Sequence, residues 1–180
     1  PLSPAEKPSQ TPTSSRPILP PNACYVGQMG YFCGRMSETS SHSASNAPQP
    51  VGAYPMTRRV GPLLFLSGVG PRKPKSDTSA ASVPGLELDA NGRILSYDFE
   101  MQVHSVMANV KTILEEAGAS WDQLVDITVY LTDMKRDFAT FNRLYAEYFA
   151  EVEPKPCRTT VEVLSLPTPI AVELKCIAAL

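Results

Sequence analysis

Histidine is scarce in this sequence: His42 and His104 are the two present in 180 residues. A zinc-dependent deaminase needs an HxE element and a PCxxC pair, and Cys24, Cys33, Cys157 and Cys176 nowhere stand at CxxC spacing. The same shortage leaves a Ser-His-Asp triad without a base. Neither GxGxxG after a strand nor GxxxxGK[ST] occurs, so no nucleotide cofactor is indicated, and neither metal nor cofactor is expected. A net charge of -2 and a pI near 5.7 lack the basic surface that nucleic-acid binding needs. No apolar run approaches the ~18 residues of a membrane-spanning helix. A basic start followed by an apolar core, as in a secretory signal, is missing too. The cysteine pattern suits a reducing compartment, and a cytoplasmic location is expected. The chain starts at Pro1 rather than methionine, which reads as a processed or partial chain.

What is plentiful is unevenly placed. Residues 1–50 hold nine of the eighteen prolines, nine serines and five charged side chains. Such a segment buries too little apolar surface to offset the entropy of ordering it, so 1–50 reads as a disordered tail and 51–180 as one domain. The apolar patch Cys24–Cys33 could dock on that domain. The serine-rich, acid-poor tail leaves organelle import as a minor alternative, since its arginines are sparse and its prolines oppose an amphipathic helix.

The domain punctuates itself. Val51 to Gly68 reads as a hairpin turning at Gly61-Pro62, with Leu63–Leu66 buried. Gly68, after Ser67, would let a backbone N–H approach a ligand. Val69 to Tyr97 is broken by proline and glycine and reads as a long loop of the lid or binding type, carrying Arg72, Lys73 and Lys75. A helix is expected from Asp98 to Ala117, capped by Asp98 and ended by Gly118, with His104 off its apolar stripe. Val125, Ile127, Val129 and Leu131 alternate with polar residues as a half-buried strand. A second helix is expected from Asp137, as cap, to Val152, stopped by Pro154. Cys157 reads as a packed thiol.

The last stretch alternates on both sides of a break at Leu166–Pro169 and reads as a second hairpin. Two of its residues suit a plain strand poorly. Arg158 opens the first arm, and Glu173 lies between Val172 and Leu174, where an ionised carboxylate is usually avoided. A guanidinium grips carboxylates bidentately, and a half-buried carboxylate can serve as a base near neutral pH. An edge arginine and an exposed strand glutamate remain the plain alternative. Strand, strand, helix, strand, helix, strand, strand makes an α+β fold, a sheet with both helices on one face. The other face needs cover, which a symmetric oligomer supplies.

Val51-Gly-Ala-Tyr-Pro, Phe65-Leu-Ser-Gly, the run Asp137 to Phe149, Pro156-Cys-Arg-Thr-Thr-Val-Glu-Val and Leu166-Pro through Val172-Glu-Leu occur in the order seen in the RidA/YjgF family of imine and enamine deaminases. The sequence resembles that family over residues 50–180. The resemblance implies a chorismate-mutase-like fold of the bacillus type, a mixed sheet assembled as a homotrimer or hexamer with sites in clefts between subunits. It implies that Arg158 holds a substrate carboxylate and that Glu173 positions or activates the hydrolytic water. Tyr54, Ser67, Gly68, Asn142 and Thr160 fall at the other ligand-lining positions, Thr160 where many members carry cysteine. The tyrosine–proline pair, Arg58-Arg59 and the arginine-bearing loop look more like the 2-aminomuconate deaminase branch. A dicarboxylate needs a second cation, with Arg72 the first candidate and Arg58 or Arg59 behind it. The expected partner is therefore a carboxylate-bearing imine or enamine. The alternatives are a general 2-iminobutanoate/2-iminopropanoate deaminase and a non-catalytic carboxylate-binding trimer; a nuclease is disfavoured by the acidic balance.

Overall fold

The computed structural model describes residues 39–43, 45–74 and 80–180. The Cys24–Cys33 patch, most of the expected tail and Lys75 lie outside those residues. In chain order the elements are β1 (Thr39–His42), β2 (Thr57–Val60), β3 (Leu63–Leu66), β4 (Leu86–Leu88), β5 (Ile94–Tyr97), α1 (Phe99–Glu116), β6 (Leu124–Leu131), α2 (Met134–Tyr148), β7 (Cys157–Glu162) and β8 (Val172–Ala179). Six of the strands form one sheet in the order β1-β2-β3-β8-β6-β7. β6 and β7 run parallel and the other neighbours antiparallel, so the sheet is mixed. Two helices packed on this sheet make the α+β architecture that the sequence predicts.

α1 forms where its apolar period demands. Asp98 accepts a hydrogen bond from the Met101 N–H, and Gly118 takes the left-handed conformation (φ 77°) past the last turn. Its buried stripe, Val103, Val106, Val110 and Ile113, joins Ile127, Val129, Leu174 and Phe141 in one core. Inward residues of β8 are Val172, Leu174, Cys176 and Ala178; Glu173, Lys175 and Ile177 alternate to the opposite face.

Several expectations are corrected. β7 and β8 are not a hairpin: both pair with β6, which lies between them. The connection of nine residues from 163 to 171 is long enough to carry the chain across a neighbour, and a period of two cannot say which strand that neighbour is. α2 begins four residues earlier than expected. Asp133 is its cap, accepting from the Arg136 N–H, and Asp137 is a buried first-turn residue. The loop after Val69 is not structureless, since β4 and β5 pair as a small separate sheet. Val125 is exposed rather than inward, because a register irregularity between Leu124 and Asp126 puts Leu124 inside instead. Cys157 is exposed on β7, not packed.

Described structure also begins before residue 51. β1 extends the edge beside β2, and Ser45 and Asn46 donate backbone N–H groups to the Glu116 carboxylate at 2.6 and 3.0 Å. Edge pairing is made by backbone groups, so a serine-rich segment joins the sheet whatever its apolar content.

Candidate functional site

The first half of the site grows from the end of β3. Ser67 donates its N–H to the Met56 carbonyl at 2.9 Å and its hydroxyl to the Pro55 carbonyl at 2.7 Å. Two residues on, Val69 and Leu174 exchange both backbone hydrogen bonds, at 2.8 and 2.9 Å. This clasp lays Gly68 directly over Glu173. A Cβ at residue 68 would stand 2.8 Å from the Glu173 carboxyl carbon, so any larger residue there would push the carboxyl out of its present position. Glu173 is half-buried, and burial pushes its carboxyl above the ordinary range while the Arg72 charge pulls weakly the other way.

Arg72 is itself buried, with 8% of its surface exposed, and its Nη2 donates to the Gln49 carbonyl. Tyr54, Gly68, Arg72, Thr168, Ile170 and Glu173 line a cavity of about 110 Å³. A carboxyl, a cation and a backbone corner therefore share one hollow. Tyr54 stands at its rim, its hydroxyl accepting from the Val51 N–H at 3.3 Å.

Arg158 lies elsewhere. It aligns with Ile127 across the β6–β7 ladder, so it points to the helix side. There Nη2 donates to Asn142 Oδ1 at 2.9 Å, and the guanidinium stands 4.6 Å above the Tyr145 ring. Thr160, two residues along the same face, has a buried Oγ1 without a hydrogen-bond partner among the described residues; so has the Tyr145 hydroxyl. Burial pushes that phenol up to about 12, with Arg158 opposing. Glu173 aligns with Tyr130, three residues from Ile127, and hence faces the other side of the sheet.

One chain thus holds two separate groups of the expected residues. Tyr54, Gly68, Arg72 and Glu173 are brought together; Arg158, Asn142 and Thr160 form a second group; Ser67 lines neither, its hydroxyl being bound to Pro55. Arg58 is exposed on β2 beside Ser40 and Ser41, and Arg59 donates Nε to the Gly61 carbonyl at 3.1 Å. Neither borders the Glu173 cavity.

Sequence reasoning missed the supports on α1. Gln102, Ser105 and Asn109 hydrogen-bond to backbone on both sides of the cavity, at Ala171, Pro71, Gly70 and Arg72. Their i, i+3, i+7 spacing, inside an apolar stripe, was the available signal.

Residues 44–180 match the family model described as Endoribonuclease L-PSP. A RutC family protein of Pyrococcus horikoshii is 40% identical over 133 residues, 74% of this chain and 91% of that protein. The chloroplastic Reactive Intermediate Deaminase A of Arabidopsis thaliana is 33% identical over 138 residues, 77% of this chain and 64% of that protein. Among solved structures, the YjgF gene product of E. coli superposes with a TM-score of 0.64 at 31% identity, covering 78% of this chain and 98% of its own. E. coli TdcF, solved with bound serine, gives 0.60 at 30% identity over 82% and 99%.

Proposed function

Because the chain belongs to the Endoribonuclease L-PSP family, with its RutC and RidA/YjgF relatives, we propose that it is a hydrolytic deaminase of imine and enamine carboxylates, acting on 2-aminomuconate. The observation that carries the reading is Glu173: a half-buried carboxyl with a raised pKa, under the Gly68 backbone, in one cavity with Arg72. The name of the Arabidopsis relative supports the same chemistry.

The enamine takes a proton on carbon and becomes the iminium. Glu173 accepts a proton from water as the water oxygen bonds to the iminium carbon, giving a neutral carbinolamine. That proton passes from Glu173 to nitrogen, the C–N bond breaks as the hydroxyl gives up its proton, and ammonia leaves with a 2-oxo acid behind. Every atom of water ends in the products, and no oxidant enters. Arg158, oriented by Asn142, holds the carboxylate next to the imine carbon. Since it faces away from Glu173 within one chain, it reaches the reaction from a neighbouring copy in a homotrimer. Arg72 holds the second carboxylate.

Ammonia release from 2-aminomuconate and 2-iminobutanoate tests this. Glu173→Gln is expected to lose on the order of 10²- to 10⁴-fold in rate on both. Arg72→Ala is expected to raise KM for the dicarboxylate far more than for the monocarboxylate. Wild-type rates in Glu173→Gln would remove the base, and equal effects of Arg72→Ala on both substrates would leave a general imine deaminase.

A further inference from the structure

We propose that Asn109, with Ser105, is the positioning residue that sets selectivity for dicarboxylates, by fixing the loop from which Arg72 enters the cavity. This rests on the reading that Arg72 binds the second carboxylate.

The loop at 70–72 sits between two backbone anchors. Before it lies the Val69–Leu174 clasp, and after it the Lys73 N–H donates to the Ser82 carbonyl at 2.7 Å. Between them the carbonyls of Gly70, Pro71 and Arg72 face α1. Asn109 Nδ2 donates to Gly70 and Arg72 at 2.9 and 2.8 Å, and Ser105 Oγ donates to Pro71 at 2.6 Å. Two side chains of a single helix thus hold three successive carbonyls. Asn109 is 2% exposed, and a primary amide is costly to bury unless its N–H groups find acceptors. Its two N–H groups find them on either side of Pro71, and with Ser105 on the Pro71 carbonyl the backbone is held immediately before Arg72 and at Arg72 itself.

The same helix holds the opposite wall. Gln102, fully buried two turns earlier on that face, accepts from the Ala171 N–H at 2.8 Å, next to Ile170. α1 is a rigid rod of 18 residues packed in the core, and a site held from such an element is more exact than one held by loops alone. Without Asn109 the anchors at Val69 and Lys73 keep the loop attached, so the expected damage is a shift of Arg72 and not loss of the fold.

The test is a double-mutant cycle read on two substrates. Asn109→Ala is expected to raise KM for 2-aminomuconate roughly tenfold, within the ~10²-fold that a misplacement of about 1 Å can cost. Its KM for 2-iminobutanoate should stay within about twofold, because that substrate has no second carboxylate for Arg72 to meet. Ser105→Ala, which removes one of the three bonds, should move KM in the same direction by a smaller factor, and it carries the test should Asn109→Ala fold poorly. In the Arg72→Ala background neither substitution should change KM further. Selective loss in Arg72→Ala together with unselective or additive loss in Asn109→Ala and Ser105→Ala would overturn this inference alone. Unselective loss in Arg72→Ala itself would overturn the dicarboxylate reading and this inference with it.

Discussion

Glu173 is costly to keep where it is. A carboxyl whose pKa is raised by burial holds its proton more tightly when folded than when unfolded, so its stabilising contribution is present below the unfolded value. That contribution is lost as pH rises through the folded value. As the proposed base, Glu173 works only once that loss has occurred, so activity and stability are expected to move in opposite directions over the same range. We expect the acid limb of kcat/KM to lie above the ordinary glutamate value of 4.5. The Tm of Glu173→Gln should gain on the wild type as pH rises from about 4 to about 7. A pH-independent Tm difference, measured by calorimetry, would contradict this. The residue types of the site were legible in the sequence through the family motifs that carry Arg158 and Glu173; the strand pattern alone did not mark Glu173, which sits where the alternation of β8 turns outward. That Arg158 and Glu173 face opposite sides was not legible, since it depends on which positions of β6 they meet.

Elements built from local signals were readable, and those built from distant partners were not. Asp98 and Gly118 bound α1 because capping is a matter of a few neighbouring residues. For α2 the apolar period starts at Phe138, which points to Asp137 as the cap. The structure gives the cap to Asp133 because Asp137 is engaged elsewhere: it accepts from the Tyr97 hydroxyl at 2.6 Å, tying β5 to α2. The Arg136 guanidinium stacks 3.9 Å above the Tyr97 ring. These roles predict different costs. Asp133→Ala should lose about 1 kcal/mol as a missing cap, independently of Tyr97. Asp137→Ala should lose ~1–3 kcal/mol, and Tyr97→Phe should add little in that background, because both remove one hydrogen bond. Denaturant midpoints of the four variants decide it. Additive costs of Tyr97→Phe and Asp137→Ala would show that the pair does not act as a unit.

At the scale of the molecule, the helices cover one face of the sheet and leave the other bearing Val60, Leu63, Phe65 and Val161. The proposed trimer would answer both this face and the separated groups, a neighbouring copy covering that face and bringing Arg158 to Glu173. Light scattering is expected to give the mass of three chains. Arg158→Ala and Glu173→Gln, each inactive alone, should regain activity when co-expressed. Random mixing would restore roughly a quarter of the sites, each drawing its two halves from different copies. No recovery would mean that both groups act within one chain. Gln49, whose carbonyl steadies Arg72, has its own bearing on such work. Anyone trimming the protein by composition would cut near residue 51 and discard that acceptor, together with β1. On the proposal that Arg72 holds a second carboxylate, the shortened protein would keep every residue assigned to chemistry yet is expected to discriminate poorly between one-acid and two-acid substrates. Assays on it would understate the preference.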